Sequence, residues 1–137
     1  MERFVVKKLS GILLLILFFT TGCKKLVNHE TGYLKGVISI GPICPVERIP
    51  PDPGCLPTAE TYKAYPVGIF SSDGRRKIGQ LNPSLDGSYS SALVPGNYLI
   101  VLEKAQNNIG GSNLPVEVTI SSKDTTLLSI SIDTGIR

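Results

Sequence analysis

The chain contains no tryptophan, one histidine, one methionine and three cysteines among 137 residues. His29 with two cysteines falls short of a zinc ligand set, and no free Cys/His pair remains to serve as nucleophile and base. Without tryptophan, a carbohydrate-stacking surface would rest on Tyr62, Tyr65, Tyr89 and Tyr98, which at strand period belong mostly to a core. No serine sits in a Gly-x-Ser-x-Gly elbow. The longest apolar run, residues 11–19, is about half of what a permanent membrane helix needs. Charge of either sign is also scarce. The first 22 residues hold three of the fourteen Lys/Arg and one of the eleven Asp/Glu, so the remainder carries eleven bases against ten acids. That balance offers no basic stripe for nucleic acid and no acidic block for disorder. After residue 22 no helical period appears.

The N-terminus is where the sequence is most specific. Arg3, Lys7 and Lys8 precede the short apolar run, and the small residues Thr20, Thr21 and Gly22 lead to Cys23. A basic start, a short apolar core and small residues form a secretory signal peptide. Its last four residues resemble the lipobox of bacterial lipoproteins, with Thr20 where leucine is usual. The resemblance implies that Cys23 is acylated and becomes the mature N-terminus. The alternative is an ordinary signal peptide cut near Gly22, leaving a spare thiol. The expected division is a signal helix at 1–22, a tether at 23–33 and one folded domain at 34–137. Lys24 and Lys25 lie either against anionic head groups, at about 1 kcal/mol each, or in solvent. They do not resemble an Asp-led inner-membrane retention signal, which favours the outer membrane in a cell that has one.

Cys44 and Cys55 are then an even pair in an exported chain, the pattern of a disulfide. The ten residues between them include four prolines and a glycine, which exclude helix and central strand. The carboxylates Glu47, Asp52 and Glu60 are set in or beside this loop with a spacing that matches no calcium loop, so solvated charge is the reading.

From residue 34 the chain alternates apolar and polar residues between turn signals. Strands are expected at 34–40, 61–71, 76–81, 88–94, 97–104, 114–120 and 125–133. Asp73–Gly74 marks a tight hairpin, and basic 76–81 an edge strand. Residues 97–104, apolar on both faces, read as a central strand covered on both sides. Seven short strands in about a hundred residues argue an all-β, seven-stranded antiparallel Greek-key sandwich of transthyretin/Ig-like type.

Within it Asp86, Gly87, Tyr89, Leu93, Pro95, Gly96 and Tyr98 reproduce D-G-x-[YF]-x-x-x-L-x-P-G-x-Y. This segment resembles carboxypeptidase-regulatory-like, transthyretin-like (prealbumin-like) modules, and the run from Gly41 through Cys44 to Val46 resembles small bacterial members of that group. Three relatives would imply chemistry. Collagen-adhesin B-type domains join a first-strand Lys to a last-strand Asn or Asp with a Glu assisting. Lys35 and Asp133 stand in such places, but the family's Glu position is Leu102 here, and Glu103 is one residue off, on the opposite face. Hydroxyisourate hydrolases need several histidines and a C-terminal Tyr-Arg-Gly-Ser, which this sequence lacks. A carboxypeptidase needs its zinc domain.

The expectation is therefore a membrane-anchored envelope lipoprotein carrying a non-catalytic structural or interaction module. No cofactor, metal or nucleic acid is expected. The partners are the membrane, through the lipid on Cys23, and an unidentified envelope protein. The recognition loops would be 44–55, with Glu47, Arg48 and Asp52, and 105–113, with Asn107 and Asn108. A binding protein for a small ligand, peptide or glycan is the alternative; a concave pocket would favour it.

Overall fold

A computed structural model describes residues 30–46, 48–104 and 111–136. The expectations on the signal helix, Cys23, His29, Glu47, Asn107 and Asn108 fall outside the described residues.

Two sheets face each other. In the first, β1 (Gly32–Gly41) is central. One of its edges pairs antiparallel with β4 (Ser88–Leu93), from Gly32 opposite Leu93 to Val37 opposite Ser88. Its other edge pairs parallel, first with β7 (Thr125–Leu127) and then with β8 (Ile130–Asp133). The second sheet runs β3–β2–β5–β6, all antiparallel, from β2 (Val67–Ser71), β3 (Lys77–Gln80), β5 (Gly96–Leu102) and β6 (Val116–Ile120). Period-two alternation sends Leu34, Ile38 and Ile40 of β1 inward against Val67, Ile69, Ile100, Val118 and Ile120 of the facing sheet. The basic strand β3 lies at an edge and β5 in the interior of its sheet, as the sequence predicts. The outer face of β5 is less covered than expected: Leu99 and Val101 are only half-buried, and no third layer lies over it among the described residues.

The described residues form eight strands, since the expected strand at 125–133 breaks between β7 and β8, and both halves run parallel to β1. The break has a local cause. The Leu128 carbonyl oxygen occupies the space a side chain on Gly36 would need, 1.8 Å from an ideal Cβ position. Tyr89, opposite Gly36 in the ladder, lays its ring across the glycine and donates its hydroxyl to that same carbonyl at 2.6 Å. Leu128 N–H donates in turn to Lys35 C=O. A strand interior that admits another backbone this closely requires glycine.

Tyr89→Phe is expected to lower stability by about 1–2 kcal/mol, because it leaves a part-buried carbonyl unpaired. Burial pushes the Tyr89 hydroxyl up to about 12 from its ordinary 10. Stability from the protonated phenol is complete below pH 10 and is lost as pH rises through 12. Urea midpoints measured from pH 9 to 12 should fall for the wild type and fall less for the Phe variant.

One stretch departs from expectation. Residues 56–66 were expected as loop to Glu60 and strand from Thr61. Instead they contain a helix, α1 (Ala59–Ala64), and β2 starts only after Pro66. Thr58 caps it: its hydroxyl accepts from Thr61 N–H and Thr61 Oγ1 accepts from Thr58 N–H, a reciprocal capping box. Glu60 in the first turn and Lys63 in the last pair at 2.7 Å. Six residues are too few to display a 3.6 period, and threonine at the third position replaces the usual Glu.

The ends of the sandwich differ. Gly32 packs on Ile120 and Ser121, and Glu30 meets Lys123 at 2.8 Å, so the segment preceding the domain enters there. The connections 42–66, 81–87 and 103–115 all leave from the opposite end, where β1, β3 and β5 finish.

Candidate binding groove beside β1

The Cys44–Cys55 disulfide forms as expected, with Cα atoms 5.4 Å apart. Asp52 accepts from Gly54 N–H and caps a single 3-10 turn, Pro53–Cys55, so its carboxylate serves the loop itself. Arg48 is exposed and has no ion pair among the described residues. Arg48, Ile49 and Asp52 line a depression of about 500 Å³ behind the disulfide, and Ile49 is fully exposed.

The larger feature was not anticipated. β1 outlasts β4: the β4 ladder begins at Val37–Ser88, while β1 continues to Gly41. Gly87 turns the chain away. It sits at φ +81° and gives its carbonyl to Ile38 N–H at 2.8 Å but its own N–H to Ser84 C=O. A Cβ there would lie 2.3 Å from the Ile38 oxygen, so the turn requires glycine. Along β1 the backbone groups alternate between edges. Gly41 C=O accepts from Thr134 N–H on the β8 side, and Ile38 N–H points to the β4 side. Ile40 N–H and C=O therefore face the β4 side, where β4 has already ended.

Opposite that open edge stands the segment 56–58, leaving a groove of about 760 Å³. The segment does not close the gap. Pro57 has no N–H, Thr58 N–H is held by Thr61 Oγ1 at 3.0 Å, and no backbone hydrogen bond joins 56–58 to Ile40 among the described residues. Val37 (46 % exposed), Leu56 (50 %) and Leu85 (70 %) line the groove, giving it mostly apolar walls. At one end, Asp86 Oδ1 accepts from Ser88 N–H and Ser88 Oγ. The Ser88 hydroxyl, and next its N–H, hold the Asp86 carboxyl below the usual carboxylate range. Burial, and secondarily the Asp86 charge, raise the Tyr62 hydroxyl on the neighbouring wall. Leu56 joins this groove to the disulfide depression.

The residues weighed for a cross-link do not converge. Lys35 is exposed, lies over the Tyr33 ring at 5.4 Å and is opposite Leu127; Asp133 is opposite Gly41, six residues or about 20 Å further along β1. Glu103 pairs with Lys77 at 2.6 Å. Among the described residues no three of His, Cys, Asp and Glu cluster as metal ligands, and no helix is long and apolar enough to cross a membrane. Tyr65 and Tyr89 are core and Tyr62 and Tyr98 half-buried; strand period accounts for Tyr89 and Tyr98, whereas Tyr62 lies in α1 and Tyr65 at its C-terminal cap.

No family model matches the chain, and no curated protein matches it. Solved structures do. GBS52, the minor pilin of Streptococcus agalactiae, is similar at TM-score 0.51 and 16 % identity over 76 % of this chain and 44 % of the pilin. The Bacillus anthracis TIE protein is similar at TM-score 0.46 and 13 % identity, over 76 % of this chain and 16 % of that one. A DUF3823 family protein from Parabacteroides merdae is similar at 0.45 and 17 %, over 77 % and 47 %. This chain thus spans less than half the length of each. The likeness to GBS52 is one of fold.

Proposed function

We propose that the protein is a lipid-anchored lipoprotein of the bacterial cell envelope whose β-sandwich acts as a non-catalytic interaction module. The observation that carries this reading is the polarity of the sandwich. The segment that follows Cys23 joins at one end, while the disulfide loop, α1 and the groove stand at or towards the other. A tether at one end and the long connections at the other would hold the working surface away from the membrane. The fold it shares with a minor pilin supports an extracytoplasmic setting.

Cys23→Ser tests the anchor. The variant is expected to leave the membrane fraction and appear soluble, with the sandwich still folded by circular dichroism. Retention of the variant in membranes at the wild-type level would reject lipidation at this residue. The peptide-binding alternative has its own support in the groove beside β1.

A further inference from the structure

We propose that the open edge of β1 receives an extended peptide of a partner protein, added as a strand in line with β4, with a basic residue beside Asp86. The inference rests on the interaction-module reading and names its ligand class.

Three features of the groove select that occupant. The first is the Ile40 backbone, which offers one donor and one acceptor side by side along the β4 edge. An extended chain carries the complementary pair on every second residue, about 7 Å apart, and so meets this edge in the way strand addition requires. The second is the walls. Val37, Leu56 and Leu85 are exposed apolar side chains around the slot, matched by apolar residues at alternate positions of a guest strand. The third is charge. Among the described residues Asp86 is the only carboxylate lining the groove, its Oδ1 accepts from Ser88 alone, and no Lys or Arg pairs with it. The complementary ligand is cationic at that point.

The edge is short as well as open. Past Ile38, whose N–H is taken by Gly87 and whose carbonyl lies close against that glycine, only Ser39–Gly41 of β1 is uncovered on the β4 side. A guest gains two backbone hydrogen bonds, so most discrimination falls to the walls and to Asp86. Unpaired strand edges are ordinarily protected against stray association. Here the proline-containing wall at 56–58 does that, admitting a single strand and barring a broad sheet-to-sheet contact.

The test uses the purified protein, with acetyl-Lys-Val-Thr-Val-Thr-Val-amide as probe and its Glu-for-Lys analogue as control, read by residue-resolved amide exchange and NMR shifts. In the free protein Ile40 N–H is expected to exchange much faster than Ile38 N–H. Saturating Lys peptide should slow it at least tenfold and leave Ile38 unchanged. Leu56→Asp, at an exposed position, should weaken binding more than tenfold. Asp86→Asn, which can still accept from Ser88 N–H, should weaken the Lys peptide about threefold and leave the Glu peptide no worse. Absence of Ile40 protection at millimolar peptide would overturn the proposal. So would an Ile40 amide already as slow as Ile38, or protection that grows with protein concentration alone, which would give the edge to a second copy. Equal binding of the two peptides would overturn the role of Asp86. All these readings are independent of where Cys23→Ser sends the protein, so either claim can fail alone.

Discussion

Replacing Gly36 with alanine is expected to lower the unfolding free energy by at least about 3 kcal/mol. The added Cβ would stand 1.8 Å from the Leu128 oxygen, 2.7 Å from its carbonyl carbon and 3.0 Å from the Tyr89 hydroxyl. Two of these atoms are backbone, so no side chain can rotate to make room. Relief demands that the β7–β8 step lift off β1, which breaks the Leu128 N–H bond to Lys35 and the Tyr89 bond to Leu128 together. Overpacking alone costs about 1–3 kcal/mol, and two disturbed hydrogen bonds add about 1 each. The control lies on the same strand: a Cβ on Gly41 meets nothing within 4 Å, so Gly41→Ala should shift stability by well under 1 kcal/mol. Urea unfolding of the two variants decides it. Gly36→Ala melting alongside Gly41→Ala would mean that the Leu128 carbonyl does not sit over β1.

Gly36 also shows where sequence reading stops. The period-two runs are legible because one face of each strand is buried: Ile38 with Ile40, Val67 with Ile69, and Val118 with Ile120 all point inward as the alternation requires. Turn chemistry is equally local. Asp73 accepts from Ser71 Oγ and Arg75 N–H, closing the hairpin where Asp-Gly predicts it. What the alternation does not encode is which strand lies beside which. Leu128, Ile130 and Ile132 keep the same parity across the break, so the β7–β8 step leaves no mark in the pattern, and neither does the parallel partnership of both with β1. The helix α1 was hidden by its shortness. The groove was hidden for a different reason, since it arises from a difference in length between two paired strands. Its one local trace is Asp86–Gly87, read correctly as a strand entrance but silent on how far β1 runs past it.

The disulfide is legible as an even pair of cysteines once Cys23 is set aside, and its removal should have the second large effect. Cys44→Ser with Cys55→Ser is expected to lower stability by about 2–3 kcal/mol, from the loop-closure entropy of a link spanning 11 residues. The four prolines inside the loop already restrict the unfolded chain, which places the effect toward the lower end. For a domain of this size that is a fall in Tm of about 10 °C or more. The more telling consequence is local. Every described residue between the cysteines is exposed, so no burial holds the loop once the bond is gone. Leu56 follows Cys55 directly and forms part of the far wall of the groove, whereas Ile38 and Ile40 are fixed by β8 on the other edge of β1. Amide exchange in the double variant should accelerate through 44–56 and stay slow at the paired amides of β1, such as Ile38, and binding of the Lys-containing peptide should weaken while the strand that receives it remains formed. A double variant that melts with the wild type, or that loses β1 protection together with the loop, would show that the cross-link does not act as the local staple of that wall.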